Sequence, residues 1–408
     1  MKHLTTKNPF NIIVIVAALG YFVDIYDLIL FGIVMKPSLK DIGVPDEMIF
    51  DVGGRLLGIQ MIGMLIGGII WGVLGDKKGR LSTLFLTILL YSIANIANGF
   101  VQTVQQYEWM RFFSGIGLAG ELGVGITLVS EVMTKESRGT GTSIVSGIGI
   151  AGAVLGFFIA DFFDWRMAYF VGGGLGLLLL IMRISVYESG MFHKTKQENV
   201  KRGQFFSLFT SVHRFKKYIA CILIGIPVWY VISQLAVQSE KYAADALGIT
   251  EKIIGGKAVM FHYVGASLGS LLFGYLSERL RSRKKALFLA CGSLTLFVSL
   301  YFFGKGISAN SFYAIILLIG VSMGGLWAIF MANASEQFGT NLRATVTTTA
   351  PNFVRGTTEV IRFSIAGLKT SFGLWTAGVI IGIVCILLSL FAIAATKETY
   401  GKDLDYTE

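Results

Sequence analysis

Two aspartates lie in the first long apolar segment of the chain, residues 10–35. Asp24 and Asp27 are one helical turn apart, so a helix would place both carboxylates on one face. A charge in lipid is costly and survives only in a protein interior or a water-filled path. Two adjacent carboxylates do not both ionise easily there. We therefore predict a proton-binding site, and the alternative is a structural pair satisfied by neighbouring donors.

A stripe of polar residues follows one face of segment 344–367. Its members recur every three or four residues, the spacing of a helix face. Its glutamate can neutralise one of its two arginines and is a further candidate proton carrier. The remaining positive charge favours an anionic substrate group, or one of the two aspartates, as a ligand. The alternative is a purely structural network. The stripe consists of Thr348, Asn352, Arg355, Glu359 and Arg362.

Two further segments contain ionisable residues that lipid would exclude. In segment 106–132, Arg111, Ser114 and Glu121 share a face. Glu121 is either a proton carrier or the structural partner of a buried arginine. In segment 254–277, His262 has the reference pKa of a physiological proton relay, but a histidine beside Tyr263 also fits a hydrogen-bonded packing role. Both alternatives stay open for each residue.

The composition places these segments in a membrane. Of 408 residues, 54% are hydrophobic and 15% charged, and the mean hydropathy is +0.67, well outside the range of soluble domains. Roughly 20 apolar residues form one helical crossing, and such stretches recur to the C-terminus. They are residues 10–35, 52–74, 81–100, 106–132, 140–160, 166–187, 217–238, 254–277, 285–303, 310–334, 344–367 and 372–396.

These twelve segments predict an all-α membrane protein with two halves. Residues 1–187 would form one six-helix bundle and residues 217–408 another with a short tail, joined by a polar cytoplasmic linker, 188–216. Roughly 22 basic residues fall in loops and tails on one side against about 8 on the other, so both termini should be cytoplasmic. Topology therefore explains the net charge of +10 without nucleic acid.

The two halves repeat each other. The loop after the second segment contains residues 75–80, Gly-Asp-Lys-Lys-Gly-Arg, and a degenerate copy, 274–285, follows the eighth segment. Later in each half a glutamate precedes an arginine by seven residues; the pairs are Glu131 with Arg138 and Glu336 with Arg343. Parallel repeats in a membrane protein usually frame a central solute pathway.

These signatures resemble the major facilitator superfamily over essentially the whole chain. The run Val23-Asp24-Ile25-Tyr26-Asp27 and the progression from Arg111 through Gly120-Glu121 to Ser130-Glu131 are most similar to its metabolite:proton symporter branch. The resemblance implies two pseudo-symmetric six-helix bundles, alternating access and no enzymatic activity. It also implies that aromatic and amide groups of helices 1, 7 and 10 line a pocket. Pocket candidates are Tyr26, Arg111, Trp229, Tyr230, Ser233, Gln234, His262, Trp327, Asn352, Arg355 and Arg362.

The resemblance further implies a gate on the cytoplasmic side. Asp76 should pair with Arg138 and with the positive N-terminal end of helix 11, and Glu278 should pair with Arg343 in the second half. The gating residues expected are Gly75, Asp76, Arg80, Glu131, Arg138, Glu278, Glu336 and Arg343.

The sequence thus predicts a proton-coupled importer of a small polar metabolite, an organic anion or zwitterion. No nucleotide-binding, zinc or nucleophile motif is evident, so we expect H⁺ as the coupling ion, with no cofactor and no metal. We expect a monomer surrounded by lipid in a bacterial inner membrane. A proton-driven efflux antiporter for drugs or siderophores and a non-transporting membrane sensor on a transporter scaffold are the alternatives.

Overall fold

The framework of the protein is a set of long helices. The computed structural model describes residue 8 and residues 10–183 and 201–408. Within them, eleven helices are long and apolar enough to cross a membrane. They are α1 Ile12–Asp41, α2 Ile49–Lys78, α3 Arg80–Asn98, α4 Val104–Val132, α5 Arg138–Phe162, α6 Trp165–Met182, α7 Val212–Ala236, α8 Gly255–Arg279, α9 Arg283–Phe303, α10 Ala309–Gln337 and a helix over Arg343–Ala395.

The last of these helices is two helices joined at a kink. Its 53 residues would extend about 80 Å, more than twice the roughly 30 Å of a bilayer core. Gly373 breaks it with φ 77° and ψ 164°, so residues 343–372 form α11 and residues 374–395 form α12. The sequence predicted a loop from 368 to 371, but the helix continues until a single glycine reverses the chain.

Side-chain caps set where several helices begin. The Asn11 side chain accepts hydrogen bonds from the backbone N–H groups of Ile13 and Val14, and Asp164 does the same at the start of α6. Ser282 and Ser308 cap α9 and α10. Such caps satisfy donors that have no partner within the helix, which matters most where lipid offers none.

The two halves pack alike. In the first half α1 packs on α5 and α2 on α4; in the second α7 packs on α11 and α8 on α10. Glycines permit the closest contact, because a Cβ at Gly265 or Gly324 would overlap the backbone of the facing helix. The predicted fold of two pseudo-symmetric six-helix bundles is confirmed.

The halves meet along one interface, which we call the seam, where α2 faces α11 and α5 faces α8. One end of the bundle, which we call the termini face, contains residues 75–80, 133–138, 278–283, 338–343 and 396–408. Part of the predicted linker, 188–216, lies outside the described residues. Its described part contains a short helix, Ser207–Thr210, and the start of α7 at Val212, five residues before the predicted start.

Candidate functional site

Asp24 of α1 and Arg355 of α11 face each other across the seam. Oδ2 of Asp24 lies 4.0 Å from Nη2 of Arg355, and both side chains are buried. Neither carboxylate oxygen of Asp24 has a hydrogen-bond donor among the described residues. A buried carboxylate without donors depends on its nearest opposite charge. Any other anion that approaches Arg355 would therefore weaken the electrostatic stabilisation of the Asp24 carboxylate.

Arg355 is positioned by a neighbour on its own helix. Its Nη1 donates to Oδ1 of Asn352 at 3.0 Å. Nδ2 of Asn352 donates to the carbonyl oxygens of Thr348 at 2.8 Å and of Ala119 in α4 at 2.9 Å. Nε and Nη2 of Arg355 have no acceptor within the part of the chain that the structure describes. The guanidinium thus keeps donors that a carboxylate could use.

A small cavity of about 20 Å³ lies at the seam beside Arg355. The guanidinium of Arg355 lies 6.0 Å from the ring centre of Trp229. Nε1 of Trp327 donates to the hydroxyl of Tyr21 at 3.0 Å and links the two halves. Aromatic walls around one cation suit a small, partly apolar anion. The lining residues are Tyr21, Ile25, Ile150, Val228, Trp229, Ile232, Tyr263, Met323, Trp327 and Arg355.

Asp27 does not share the surroundings of Asp24. Its Oδ2 accepts a hydrogen bond from Nδ2 of Asn95 in α3, and its Oδ1 lies against Gly172 of α6. Residues three apart on a helix are rotated by about 60°, which is enough to turn Asp27 into the first bundle while Asp24 faces the seam. The predicted common face therefore does not give a common site.

Arg111 is buried in the same first-half cluster. Its Nε donates to Oδ1 of Asn98 at 3.3 Å, and its guanidinium carbon lies 4.9 Å from the ring centre of Tyr169. Its Nη2 donates to Oδ1 of Asn95 at 3.4 Å, and the same amide contacts Asp27. Arg111 does not line the cavity, so the structure places this pocket candidate beside Asp27 and away from Arg355.

Glu121 is the partner of a buried arginine. Its carboxylate is paired with Arg183, which ends the described part of α6, and it accepts a hydrogen bond from the Thr87 hydroxyl at 3.3 Å. Gly20 of α1 leaves room for this pair, because a Cβ there would overlap both side chains. Of the two alternatives for Glu121, the geometry favours the structural one. Arg183 lies within the predicted segment 166–187 but was not among the predicted site residues.

Five more pocket candidates outside the polar stripe, Ser233 among them, lie outside the cavity lining. The Tyr26 hydroxyl donates to the Ala168 carbonyl at 2.8 Å inside the first half. The Tyr230 hydroxyl donates to the Gly378 carbonyl at 2.7 Å inside the second. His262 is buried with its ring edge-on to Tyr263. Gln234 is buried in a π-helical turn and donates to the neighbouring Ser233 hydroxyl at 3.2 Å. In this structure these side chains pack inside the bundles and do not face the cavity.

The polar stripe of α11 divides into a buried and an exposed part. Thr348, Asn352 and Arg355 are buried, whereas Glu359 and Arg362 have side chains 34% and 48% exposed and pair with each other at 2.7 Å. The prediction of one continuous charged site is wrong for the last two members. The stripe follows one helix face, but the first half of the protein covers only its first three residues.

At the termini face, Asp76 joins the end of α2 to the start of α11. Its carboxylate accepts hydrogen bonds from the backbone N–H groups of Ala344 at 3.1 Å and Thr345 at 2.9 Å. The predicted contact with the N-terminal end of helix 11 is therefore present. The predicted pair with Arg138 is wrong, because the arginine beside Asp76 is Arg80, at 3.4 Å.

Two arginines of this face cross the seam. Nη1 of Arg343 lies 2.9 Å from Oε1 of Glu131 in the first half, and Nη1 of Arg138 lies 4.0 Å from Oε1 of Glu336 in the second. All four side chains are buried. Each half therefore supplies an arginine to the glutamate of the other, which ties the halves together at this end.

Two further arginines complete the network, and Nη2 of Arg80 also donates to the Thr340 carbonyl across the seam at 3.0 Å. Nη2 of Arg80 lies 2.9 Å from Glu131, and its Nη1 donates to the Gly75 carbonyl at 3.1 Å. Arg283 contacts Glu336 at 3.0 Å and Glu278 at 2.8 Å. The predicted Glu278–Arg343 pair is therefore wrong. The repeat identified equivalent positions, but it did not indicate which half supplies each partner. Arg283 lies within the degenerate copy, 274–285, but it was not among the predicted gating residues.

Residues 17–356 of the chain match the family model described as "Major Facilitator Superfamily". The chain belongs to this superfamily. It is 24% identical over 398 residues to a probable 4-methylmuconolactone transporter of Cupriavidus pinatubonensis, covering 94% of this chain and 89% of that protein. It is 26% identical over 366 residues to the niacin transporter NiaP of Acinetobacter baylyi, covering 81% and 80%.

Solved structures of the superfamily share the same fold. The structure of the proton:xylose symporter XylE bound to 6-bromo-6-deoxy-D-glucose matches with a TM-score of 0.77 at 17% identity, covering 97% of both chains. As a member of the major facilitator superfamily, the chain is a multi-pass membrane transporter of small metabolites and not an enzyme.

Proposed function

We propose that this transporter is a proton-coupled symporter that imports a small organic carboxylate, as an anion or a zwitterion, by alternating access. The observation that carries the proposal is Arg355, which is buried at the seam, faces Asp24 at 4.0 Å and keeps Nε and Nη2 without acceptors in the described chain. A carboxylate in the cavity would satisfy those donors.

The cavity supports a substrate with a flat or apolar body. Trp229, Trp327 and Tyr21 form aromatic walls next to the guanidinium, and aromatic faces stack well on planar ligands. The cavity is only about 20 Å³ in this conformation, so a substrate would enter it when the two bundles move apart. The relatives named for niacin and 4-methylmuconolactone transport are consistent with a small cyclic carboxylate.

Proton coupling would arise from competition for one guanidinium. A substrate carboxylate that binds Arg355 takes the counter-charge that Asp24 depends on. Two carboxylates next to one guanidinium leave a net buried negative charge, which a proton on Asp24 would neutralise. Substrate and proton would therefore bind together. Asp27, which contacts Asn95 in the first bundle, is a second candidate proton site.

Alternating access would use the seam contacts at the termini face. In the present structure Arg343 and Arg138 hold this face closed through Glu131 and Glu336. Rocking of one bundle against the other would separate these pairs and open a path from the cavity. The distribution of basic loops favours this as the cytoplasmic face, so we propose that both termini are cytoplasmic. We further propose that the protein lies in the inner membrane and works as a monomer.

Purified protein in liposomes tests this function. We expect uptake of labelled niacin or benzoate to rise with an inward proton gradient. Arg355→Ala should weaken binding by about 2–3 kcal/mol, roughly 30- to 150-fold, because a charge-assisted hydrogen bond is lost. Arg362→Ala is the matched control, since Arg362 lies on the same helix but pairs only with exposed Glu359. Equal binding in the two variants would rule out Arg355 as the anion site.

A further inference from the structure

The chain returns to the termini face after α12. Residues 396–401 are anchored in the second half, where the Glu398 carboxylate accepts hydrogen bonds from the backbone N–H groups of Arg283 at 2.8 Å and Lys284 at 3.3 Å. The Thr399 hydroxyl donates to Glu336 at 2.7 Å. This anchor fixes where the following residues, 402–408, cross the face. We call residues 402–408 the tail.

The tail contacts both halves at once. The Lys402 carbonyl accepts a hydrogen bond from Nη1 of Arg138 at 3.1 Å, and the Asp403 carboxylate pairs with Lys135 at 2.9 Å. Both partners belong to the first half. The Leu404 carbonyl accepts a hydrogen bond from Nη2 of Arg343 at 2.7 Å. The tail thus spans the seam beside the two arginines that cross it.

The end of the tail contacts the second half. The backbone N–H of Thr340 donates to the Tyr406 carbonyl at 2.8 Å. Asn341 and Glu408 exchange two hydrogen bonds, at 2.9 and 3.0 Å, and the Glu408 carboxylate pairs with Lys217. The attachment to the second half is therefore extensive, whereas the contacts with the first half among the described residues include one exposed ion pair and one hydrogen bond.

The geometry of these contacts conflicts with an open termini face. The carbonyls of Lys402 and Leu404 are two residues apart, so they can be separated by no more than about 7 Å. Arg138 and Arg343, their donors, lie in different halves. If the halves separate here, the tail loses one of the two donors, and its weaker attachment is to Lys135 and Arg138.

We propose that the tail is a strap that holds the termini face closed and must release Lys135 and Arg138 before that face opens. The strap adds backbone acceptors to the two arginines that already cross the seam. It belongs to the gate rather than to the substrate site, and it does not depend on which substrate or coupling ion the transporter uses.

Access of a reagent to the seam tests the strap. Ser130 and Ser335 lie 3.0 Å apart across it, so Ser335→Cys reports opening, in a background in which buried Cys221, Cys291 and Cys385 are replaced by alanine. In vesicles with the termini face outward, a membrane-impermeant maleimide should label this cysteine several times faster when the chain stops after Gly401. If the shortened chain is labelled at the same rate as the full-length chain, the tail does not hold the termini face closed and the proposal is wrong.

A charge swap separates the strap from a folding defect. Asp403→Lys places two cations together and should raise labelling about two- to fivefold, the range of a single exposed ion pair. Adding Lys135→Asp restores the opposite charges and should return labelling to the original rate. Asp403→Lys without effect, or a swap that does not restore slow labelling, would contradict the proposed attachment to the first half.

Discussion

Nη2 of Arg355 and Oδ2 of Asp24 lie 4.0 Å apart, although the two residues belong to different halves of the protein. Arg355 is the only cationic residue in the cavity lining, and Asp24 has no hydrogen-bond donor among the described residues. Occupation of the cavity by an anion therefore acts directly on a contact between the halves, which links binding to the movement of one bundle against the other.

Asp24→Asn should uncouple substrate binding from protons. In the original protein, substrate binding would be linked to the uptake of one proton. Each fall of one pH unit would then tighten substrate binding by up to about tenfold, within the pH range in which Asp24 titrates. The asparagine mimics the protonated side chain, so affinity should become independent of pH while exchange of substrate across the membrane continues. Isothermal titration from pH 5.5 to 8 and counterflow in liposomes measure the two effects.

One outcome of this titration would contradict the proposed role of Asp24. If Asp24→Asn keeps the pH dependence of the original protein, the linked proton resides elsewhere, and the competition between Asp24 and the substrate for Arg355 is not the coupling step.

Asp27→Asn should affect transport more than binding. Asp27 contacts Asn95 and is absent from the cavity lining, so substrate affinity at fixed pH should change by less than about twofold. Uptake driven by a proton gradient should fall, because the charge next to buried Arg111 is lost. Uptake at the original rate with unchanged pH dependence would remove Asp27 from the coupling mechanism.

The termini-face arginines provide a matched pair of variants. Removing Arg343 leaves Glu131 with Arg80, and removing Arg283 leaves Glu336 with Arg138, so both changes should lower stability, by less than the about 3–5 kcal/mol of a fully unpaired buried charge. Only Arg343 crosses the seam, to Glu131; the charged partners of Arg283, Glu278 and Glu336, lie in its own half. Arg343→Ala should therefore speed labelling of Ser335→Cys from the termini face, and Arg283→Ala should leave it nearly unchanged. Similar acceleration in both variants would indicate general loosening.

The sequence predicted the helices and the charged centre of the seam for physical reasons. Apolar length decides which segments cross the membrane, and a charge at that depth needs a protein environment, which identified Asp24 and Arg355. Helix spacing predicts which residues share a helix face but not how deeply each side chain is buried. The predicted stripe therefore grouped partly exposed Glu359 with buried Arg355. Periodicity also does not resolve the rotation of about 60° that separates Asp24 from Asp27.

Partner choice at the gate could not be predicted from the repeat. Duplication makes Glu131 equivalent to Glu336 and Arg138 equivalent to Arg343, so pairing within a half and pairing across the seam fit the sequence equally well. The structure has crossed pairs at this face. The choice depends on how the two bundles dock, which is a tertiary property.

The tail should hold the termini face equally well throughout the physiological pH range. Burial raises the pKa of Glu398, but hydrogen bonds from Ser282 and from backbone N–H groups outweigh this and leave it below its ordinary value of 4.5. The N–H of Asp405 and the charge of Lys135 lower the pKa of Asp403 from 3.8. Carboxyls with lowered pKa values contribute fully above their ordinary pKa and lose that contribution only as the pH falls through the lowered value.

The labelling rates of the full and shortened chains test this pH independence. Their ratio cancels the pH dependence of the reagent, and it should stay constant from pH 5 to 8. A ratio that approaches one between pH 7 and pH 5 would show that a group with a higher pKa controls the strap.

The kink between α11 and α12 depends on a single glycine. Gly373 has φ 77° and ψ 164°, a region that is essentially restricted to glycine, and a Cβ there would meet no neighbouring atom within 4 Å. Gly373→Ala should therefore cost about 1–3 kcal/mol through backbone strain alone. Gly367 is the control, because it has equal space around it but helical geometry, so Gly367→Ala should be neutral or slightly stabilising. Melting temperatures of the purified variants measure the difference, and equal melting temperatures would mean that α11 and α12 can be joined without this conformation.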